Sequence, residues 1–188
     1  MRVSVCVATK NRTDMLHQLL WSLIRQSFTA WDLVIVDDSD VPVPWNNLGV
    51  YPRLFNEISR LGRDLRIAQG PRTSSVGAAY QVGFLAAKRE NELFLRADDD
   101  SWLEPDYVAR LVRLMEDRKV GACGGLFLHP GQDIDTLPRD DRRYRHAFID
   151  GLSDLGNIQW YRHELDEPIP VEHLTADILF NTEWLEKI

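Results

Sequence analysis

The run Leu93-Phe-Leu-Arg-Ala-Asp98-Asp99-Asp100 ends an apolar stretch in three adjacent carboxylates. Folding alone does not call for them. Three neighbouring acids repel one another without a cation, so the chemistry they suit is the binding of a metal and a polar ligand. A second run, Trp31-Asp-Leu-Val-Ile-Val-Asp37-Asp38-Ser39-Asp40, ends in the same way. Two buried strands that each finish in acids place them at the carboxyl edge of a parallel sheet, where open α/β folds bind ligands. The plain structural alternatives are that Ser101 or one Asp of the first run caps the next helix, and that Asp37 and Asp38 are turn residues.

The elements that position these acids alternate along the chain. Residues 2–8 are β-branched and apolar and read as a strand. Thr13 then suits a helix cap, with Leu16, Leu19, Leu20, Leu23 and Ile24 at helical spacing. A strand over 31–36, a Pro- and Asn-rich loop over 41–49, a short helix over 51–61 and a short strand over 65–68 follow. After a turn at 69–75 come an Ala-rich helix over 76–88 and a strand over 92–97. Pro105 suits a first helical position, and Val108, Leu111, Val112 and Met115 continue that helix to Lys119. Residues 120–128 read as another strand. This order predicts right-handed βαβ crossovers and a mainly parallel sheet covered on both faces.

Composition narrows the class. With 188 residues, 44% hydrophobic and 27% charged, one domain with a substantial core is expected. The apolar runs are too short to span a bilayer, and no signal peptide precedes the first strand, so a cytoplasmic location is expected. Cys6 and Cys123 lie in apolar segments without a CxxC, which reads as two small core residues. A net charge of −7 disfavours tight, non-specific binding to nucleic acid, while leaving room for a local basic patch. Oligomeric state has no signal in the sequence. The stretch 130–166 holds no helical or strand period. It reads as a long functional excursion carrying Arg142, Arg143, Tyr144, Arg145, His146, Trp160, Tyr161 and Arg162. The chain stops inside what reads as a helix at 183–188, without a Gly cap, as a fragment would.

In this order the motifs resemble the amino-terminal half of family 2 glycosyltransferases. The residues that carry the likeness are Val3-Ser-Val-Cys-Val-Ala-Thr-Lys-Asn-Arg12, Val34-Ile-Val-Asp-Asp-Ser39 and Phe94-Leu-Arg-Ala-Asp-Asp-Asp100 with Pro105-Asp106. Residues 171–180 give a weaker echo. The resemblance implies a GT-A fold, a Rossmann-like three-layer α/β/α arrangement. Residues 1–188 would form one domain, with 1–128 as the donor-binding half and 129–188 as an incomplete acceptor half. It further implies transfer of a sugar, with inversion, from a nucleotide-sugar donor to an acceptor hydroxyl of unspecified kind.

The resemblance also implies roles for single residues. Asp100 matches the family's metal-binding acid and Asp99 the acid that contacts the ribose or the metal, with Asp98 an extra carboxylate for either. Mn2+ or Mg2+ would act there as Lewis acid for the leaving diphosphate. Asp38 would accept a hydrogen bond from the base, supported by Asp37, with Thr9 and Arg12 on the neighbouring strand end. A carboxylate accepts from the imide N–H of uracil or thymine, which favours a UDP- or dTDP-sugar. Arg72 lies near a base or phosphate contact, and Gly77 would let the chain pass close to the nucleotide. Two departures stand out: Arg96 replaces a common acid, and Gln81 or Gly83 replaces a common Asn.

An inverting transfer needs a base for the acceptor proton, and Asp177 is the candidate within this chain, against a structural role as cap or turn. His163 and His173 are weaker candidates for metal or acceptor contact. Trp45, Trp102, Trp160 and Tyr161 are candidates to stack on a sugar ring. The competing classes are a non-catalytic or truncated nucleotide-sugar-binding domain, a receiver-like signalling domain and a nucleotidyltransferase. Lys119 precedes its strand rather than following one, against the receiver. No Gly-rich phosphate loop follows the first strand, against the nucleotidyltransferase.

Overall fold

The structure is a computed structural model that describes residues 1–73, 75–118, 121–124 and 177–185. The chain divides into two compact units, Met1–Cys123 with Asp177–Ile188, and Gly124–Ala176. The geometry below belongs to the first unit. The excursion over 130–166, His163, His173, Lys119 and the part of the expected strand over 125–128 lie outside the described residues.

Strands β1 (Val3–Thr9), β2 (Trp31–Asp37), β3 (Leu65–Gln69), β4 (Leu93–Asp98), β5 (Ala122–Gly124) and β6 (Ile178–Asn181) form one sheet. Its order is β3-β2-β1-β4-β6-β5. β1 pairs in parallel with both β2 and β4, and β2 with β3, whereas β6 runs antiparallel to β4. The helices are α1 (Leu16–Ile24), α2 (Tyr51–Arg60), α3 (Val76–Ala86), α4 (Tyr107–Arg118) and a single turn α5 (Thr182–Leu185).

Strand alternation sorts the core into two layers. Val3, Val5 and Val7 of β1, Leu33 and Ile35 of β2, and Leu93, Leu95 and Ala97 of β4 face one side. There they pack with Leu16, Leu19, Leu20 and Leu23 of α1, Leu54 and Ile58 of α2, and Val108 and Leu111 of α4. The intervening residues Cys6, Val34, Val36 and Phe94 face α3 through Ala79 and Tyr80. The result is a three-layer α/β/α sandwich on a largely parallel sheet. α3 lies so close that a Cβ on Gly83 would stand 2.1 Å from Cys6 Sγ and 3.1 Å from Val36 Cγ2. Both cysteines are free and buried, and burial pushes each thiol up to about 12.

Two sequence expectations need correction, and one strand, β6, is additional to those the sequence predicts. Thr13 does not cap α1: residues 13–15 form a turn, and the residue before the helix is Met15, with no side-chain cap. The Thr13 carbonyl instead accepts from the Tyr51 hydroxyl. α4 begins at Tyr107, two residues after Pro105, because the bond that a start at Pro105 needs, from Val108 N to the Glu104 carbonyl, is replaced by Gln26, whose Nε2 donates to that carbonyl at 2.7 Å and whose Oε1 accepts from Val108 N at 3.0 Å. Among the described residues, no helix is long and apolar enough to cross a membrane.

Candidate functional site

The parallel register brings the two acid runs to one edge. Thr9 pairs with Asp37 and Ala8 with Asp98, so the ends of β2 and β4 flank the end of β1. Three loops meet there, after β1, β2 and β3, and they are stitched together. Asn11 sits at φ 56 and its N–H donates to Ser39 Oγ at 3.0 Å. Its side-chain amide donates to Asp40 Oδ2 at 2.9 Å and accepts from Asp40 N at 3.2 Å. Lys10 Nζ reaches the Thr73 carbonyl at 2.9 Å and Asp38 Oδ2 at 3.7 Å. The Thr9 hydroxyl donates to the Arg12 carbonyl at 3.3 Å.

Asp37 and Asp38 divide their work. Asp37 is a strut: its carboxylate accepts from Ser39 N at 3.1 Å, Val43 N at 2.8 Å and Trp45 Nε1 at 3.2 Å. Trp45 is therefore a core residue, 3% exposed, and does not present a face for sugar stacking. Asp38 is buried and its Oδ1 accepts from the backbone N–H of Arg72, a residue at φ 56. Gly70 makes this approach possible. A Cβ there would lie 2.5 Å from Asp38 Oδ1 and 2.7 Å from Asp38 Cα. At Gly77 a Cβ would meet only Ser75 Oγ at 3.8 Å, so no close approach of another part of the protein requires a glycine there.

The three acids at 98–100 do not converge. β4 places Arg96 and Asp98 on the α3 face, where Asp98 Oδ1 accepts from the Tyr80 hydroxyl at 3.2 Å and faces Arg96 Nη2 at 3.4 Å. The Arg96 guanidinium lies over the Tyr80 ring, 4.8 Å from its centroid, and the Tyr80 hydroxyl also donates to the Ala97 carbonyl at 2.7 Å. Burial raises the Tyr80 phenol well above its ordinary range. Asp99 turns the other way and takes Arg12, whose Nη2 donates to Oδ1 and whose Nε donates to Oδ2 at 3.3 Å. Arg12 Nη1 also donates to Asp100 Oδ2 at 3.2 Å. The hydrogen bond to Asp99 holds the Arg12 guanidinium above its ordinary pKa. Arg12 thus supplies a positive charge from the same chain beside both Asp99 and Asp100. Among the described residues, no group of three or more His, Cys, Asp or Glu side chains stands close enough to hold a metal ion.

Asp177, just before β6, supports this edge from below. Its Oδ1 accepts from Asp98 N at 2.8 Å and from Ser101 Oγ at 3.2 Å, and its backbone carbonyl accepts from the Tyr107 hydroxyl at 2.8 Å. Ser101 is therefore a buried tie to Asp177 and does not cap α4. Burial pushes the Asp177 carboxyl up to about 6, against the lowering effect of those two hydrogen bonds. Trp102, by contrast, is 56% exposed. Trp160 and Tyr161 lie outside the described residues. Lys10, Gly70 and Tyr80 were not singled out in the sequence. Only Gly70, a Gly-Pro pair directly after a short strand, carried a local signal.

A sheet of this order, with acids across its carboxyl edge, is GT-A-like. The model of the family described as glycosyl transferase family 2 matches residues 4–165, and the chain belongs to that family. It is 27% identical over 119 residues to the uncharacterized glycosyltransferase YwdF of Bacillus subtilis, covering 62% of this chain and 39% of that protein. It is 25% identical over 207 residues to an uncharacterized glycosyltransferase of Nostoc sp., covering 100% of this chain and 61% of that protein. The crystal structure of S. aureus TarS 1–349 in complex with UDP shares the fold, with a TM-score of 0.55 and 22% identity over 71% of this chain and 38% of that one. This chain spans less than two thirds of the length of each.

Proposed function

We propose that this chain is the donor-binding part of a glycosyltransferase that moves a sugar from a nucleotide-sugar, a UDP- or dTDP-sugar, to an acceptor hydroxyl with inversion. The observation that carries this reading is the juxtaposition of Asp38 and the 98–100 acids on either side of the β1 end. Asp38 is the base contact, Thr9 and Arg72 flank it, and Arg12 with Asp98, Asp99 and Asp100 meets the ribose, diphosphate and metal end. The bound UDP of the TarS complex is a precedent within the same fold. The donor set fits Mn2+ or Mg2+ in kind: Asp100 offers hard carboxylate oxygens and its side chain is 41% exposed, and Asp98 stands two residues before it. Bound there, the ion would stabilise the negative charge that grows on the departing diphosphate.

Asp177 is the candidate base, since a carboxyl at about 6 is matched to proton transfer near neutrality. Its bonds to Asp98 N and Ser101 Oγ also make it a strut for the acid run, and these favour a second reading in which it only positions those acids. Release of nucleoside diphosphate from UDP- and dTDP-sugars with Mn2+ tests the proposal. Release above the blank for one donor, lost in Asp100→Ala, is expected. Absence of release together with absence of donor binding for every sugar nucleotide would refute it.

A further inference from the structure

A cavity of about 260 Å3 lies at the amino edge of the sheet, between the end of α3 and the first residues of β1. Along β1, its Ser4 stands roughly 17 Å from Thr9 at the donor edge, at the ordinary rise of a strand. The floor is polar and the walls are not. Ser4 and Asn91, each 1% exposed, form the floor, and Phe84, Leu85 and Ala87 form the walls. Leu85 is 74% exposed at the mouth, where Lys88 and the exposed Arg89 also stand.

Asn91 is held in one orientation. Both hydrogens of its amide nitrogen are engaged, by Ser4 Oγ at 2.9 Å and by Asp32 Oδ2 at 3.3 Å. Turning the amide over would set its carbonyl against the Asp32 carboxylate, so the chemistry fixes which atom is nitrogen. Asp32 in turn accepts from Asp64 N at 3.0 Å and pairs with Lys88 Nζ and Arg2 Nη2, both at 3.3 Å. Asn91 Oδ1 is thereby left buried without a partner, an acceptor in need of a donor. Ser4 Oγ accepts from Asn91 and keeps its own O–H to give. A floor with one acceptor and one donor to offer matches a hydroxyl group, which is both at once. At the mouth the Lys88 ammonium is neutralised by Asp32 and Asp64, and Arg89 carries its charge at the surface.

We propose that this cavity binds a small hydroxylated organic carboxylate. Its hydroxyl sits between Asn91 Oδ1 and Ser4 Oγ, its apolar body lies against Phe84, Leu85 and Ala87, and its carboxylate meets Arg89. The site is separate from the donor edge and stands or falls independently of it.

A 1H–15N NMR titration of the protein tests this with 4-hydroxybenzoate, with benzoate, which lacks the hydroxyl, and with phenol, which lacks the carboxylate. 4-Hydroxybenzoate is expected to shift the Asn91 side-chain amide and the backbone amides of Leu85 and Ala87 saturably. The dissociation constant should be on the order of 1–10 mM, as for a ligand of about ten non-hydrogen atoms. Benzoate is expected to bind about five- to tenfold more weakly, through the loss of one hydrogen bond, and phenol about two- to fivefold more weakly, through the loss of an exposed charge pair. In Arg89→Gln the advantage of 4-hydroxybenzoate over phenol is expected to disappear, and in Ala87→Phe, which fills the cavity, all three lose binding. Equal affinity for benzoate and 4-hydroxybenzoate, or an advantage over phenol that survives in Arg89→Gln, would overturn the proposal. Shifts confined to the other edge around Thr9 and Asp38, or no saturable shift at all, would overturn it equally. Arg89 is exposed, so its variant decides alone if Ala87→Phe does not fold.

Discussion

Replacing Asp177 by Asn removes a charge that burial disfavours and keeps an Oδ1 able to accept from Asp98 N and Ser101 Oγ. The carboxyl loses its proton near 3.8 in an ordinary setting and only near 6 in the folded chain. Between those values the folded state holds more protons than the unfolded one, so stability falls as pH rises through the window. Above pH 6 the whole cost is present. At about 1.4 kcal/mol per pKa unit, a rise of this size amounts to roughly 3 kcal/mol. Below about pH 3.8 the protonated carboxyl and the Asn amide are nearly equivalent and the difference vanishes. Urea unfolding of both proteins from pH 3.5 to 8 in EDTA reads this directly. Asp177→Asn is expected to gain roughly 1 to 2 M in midpoint above pH 6.5 and little at the acid end. A variant less stable than wild type at pH 8, or a gain independent of pH, would refute the assignment of a buried, destabilising carboxylate. The same variant loses transfer if Asp177 is the base and keeps it if Asp177 is only a strut.

Gly70→Ala is expected to displace Asp38, because the added methyl would stand within 2.7 Å of that residue's side chain and Cα. Thermal unfolding should show a loss of about 1–3 kcal/mol and titration a loss of nucleotide binding; unchanged values in both would contradict the close approach. Gly83→Ala places a methyl against Cys6 Sγ on the central strand and is expected to cost a similar amount, about 1–3 kcal/mol. Combining it with Cys6→Gly should recover part of that loss, a coupling that denaturant titration of the four proteins measures. Cys6 and Cys123, held near 12 by burial, are expected to resist a thiol reagent at pH 8 until urea unfolds the chain. Rapid reaction of both in the native protein would contradict their packing.

The fold was largely legible because its signals are local. Apolar runs that end in acids gave β2 and β4, and the Leu spacing gave α1. β6 escaped because four residues carry no period and its partner, β4, lies some eighty residues away. The departures at Thr13 and Pro105 share one cause: the carbonyl that would take the first helical bond, that of Thr13 or of Glu104, is taken by a distant donor, the Tyr51 hydroxyl or Gln26 Nε2, and such tertiary bonds overrule local capping chemistry. At the site, the residue types were readable and their orientations were not. Alternation along a strand end sends Asp98 toward Tyr80 and Asp99 toward Arg12, and the Asp99–Arg12 pair spans 87 positions. Trp45 was chemically suited to stack on a sugar, yet its indole N–H serves the buried Asp37.

The central claim is that the β1–β2–β4 edge binds the nucleoside diphosphate of a sugar donor. Isothermal titration of UDP and dTDP into the protein, with and without Mn2+, tests it most directly when repeated on Asp38→Ala. The account predicts saturable binding of at least one nucleotide, strengthened by Mn2+ and lost in Asp38→Ala. Binding that survives the loss of Asp38, or no binding under any of these conditions, would contradict it.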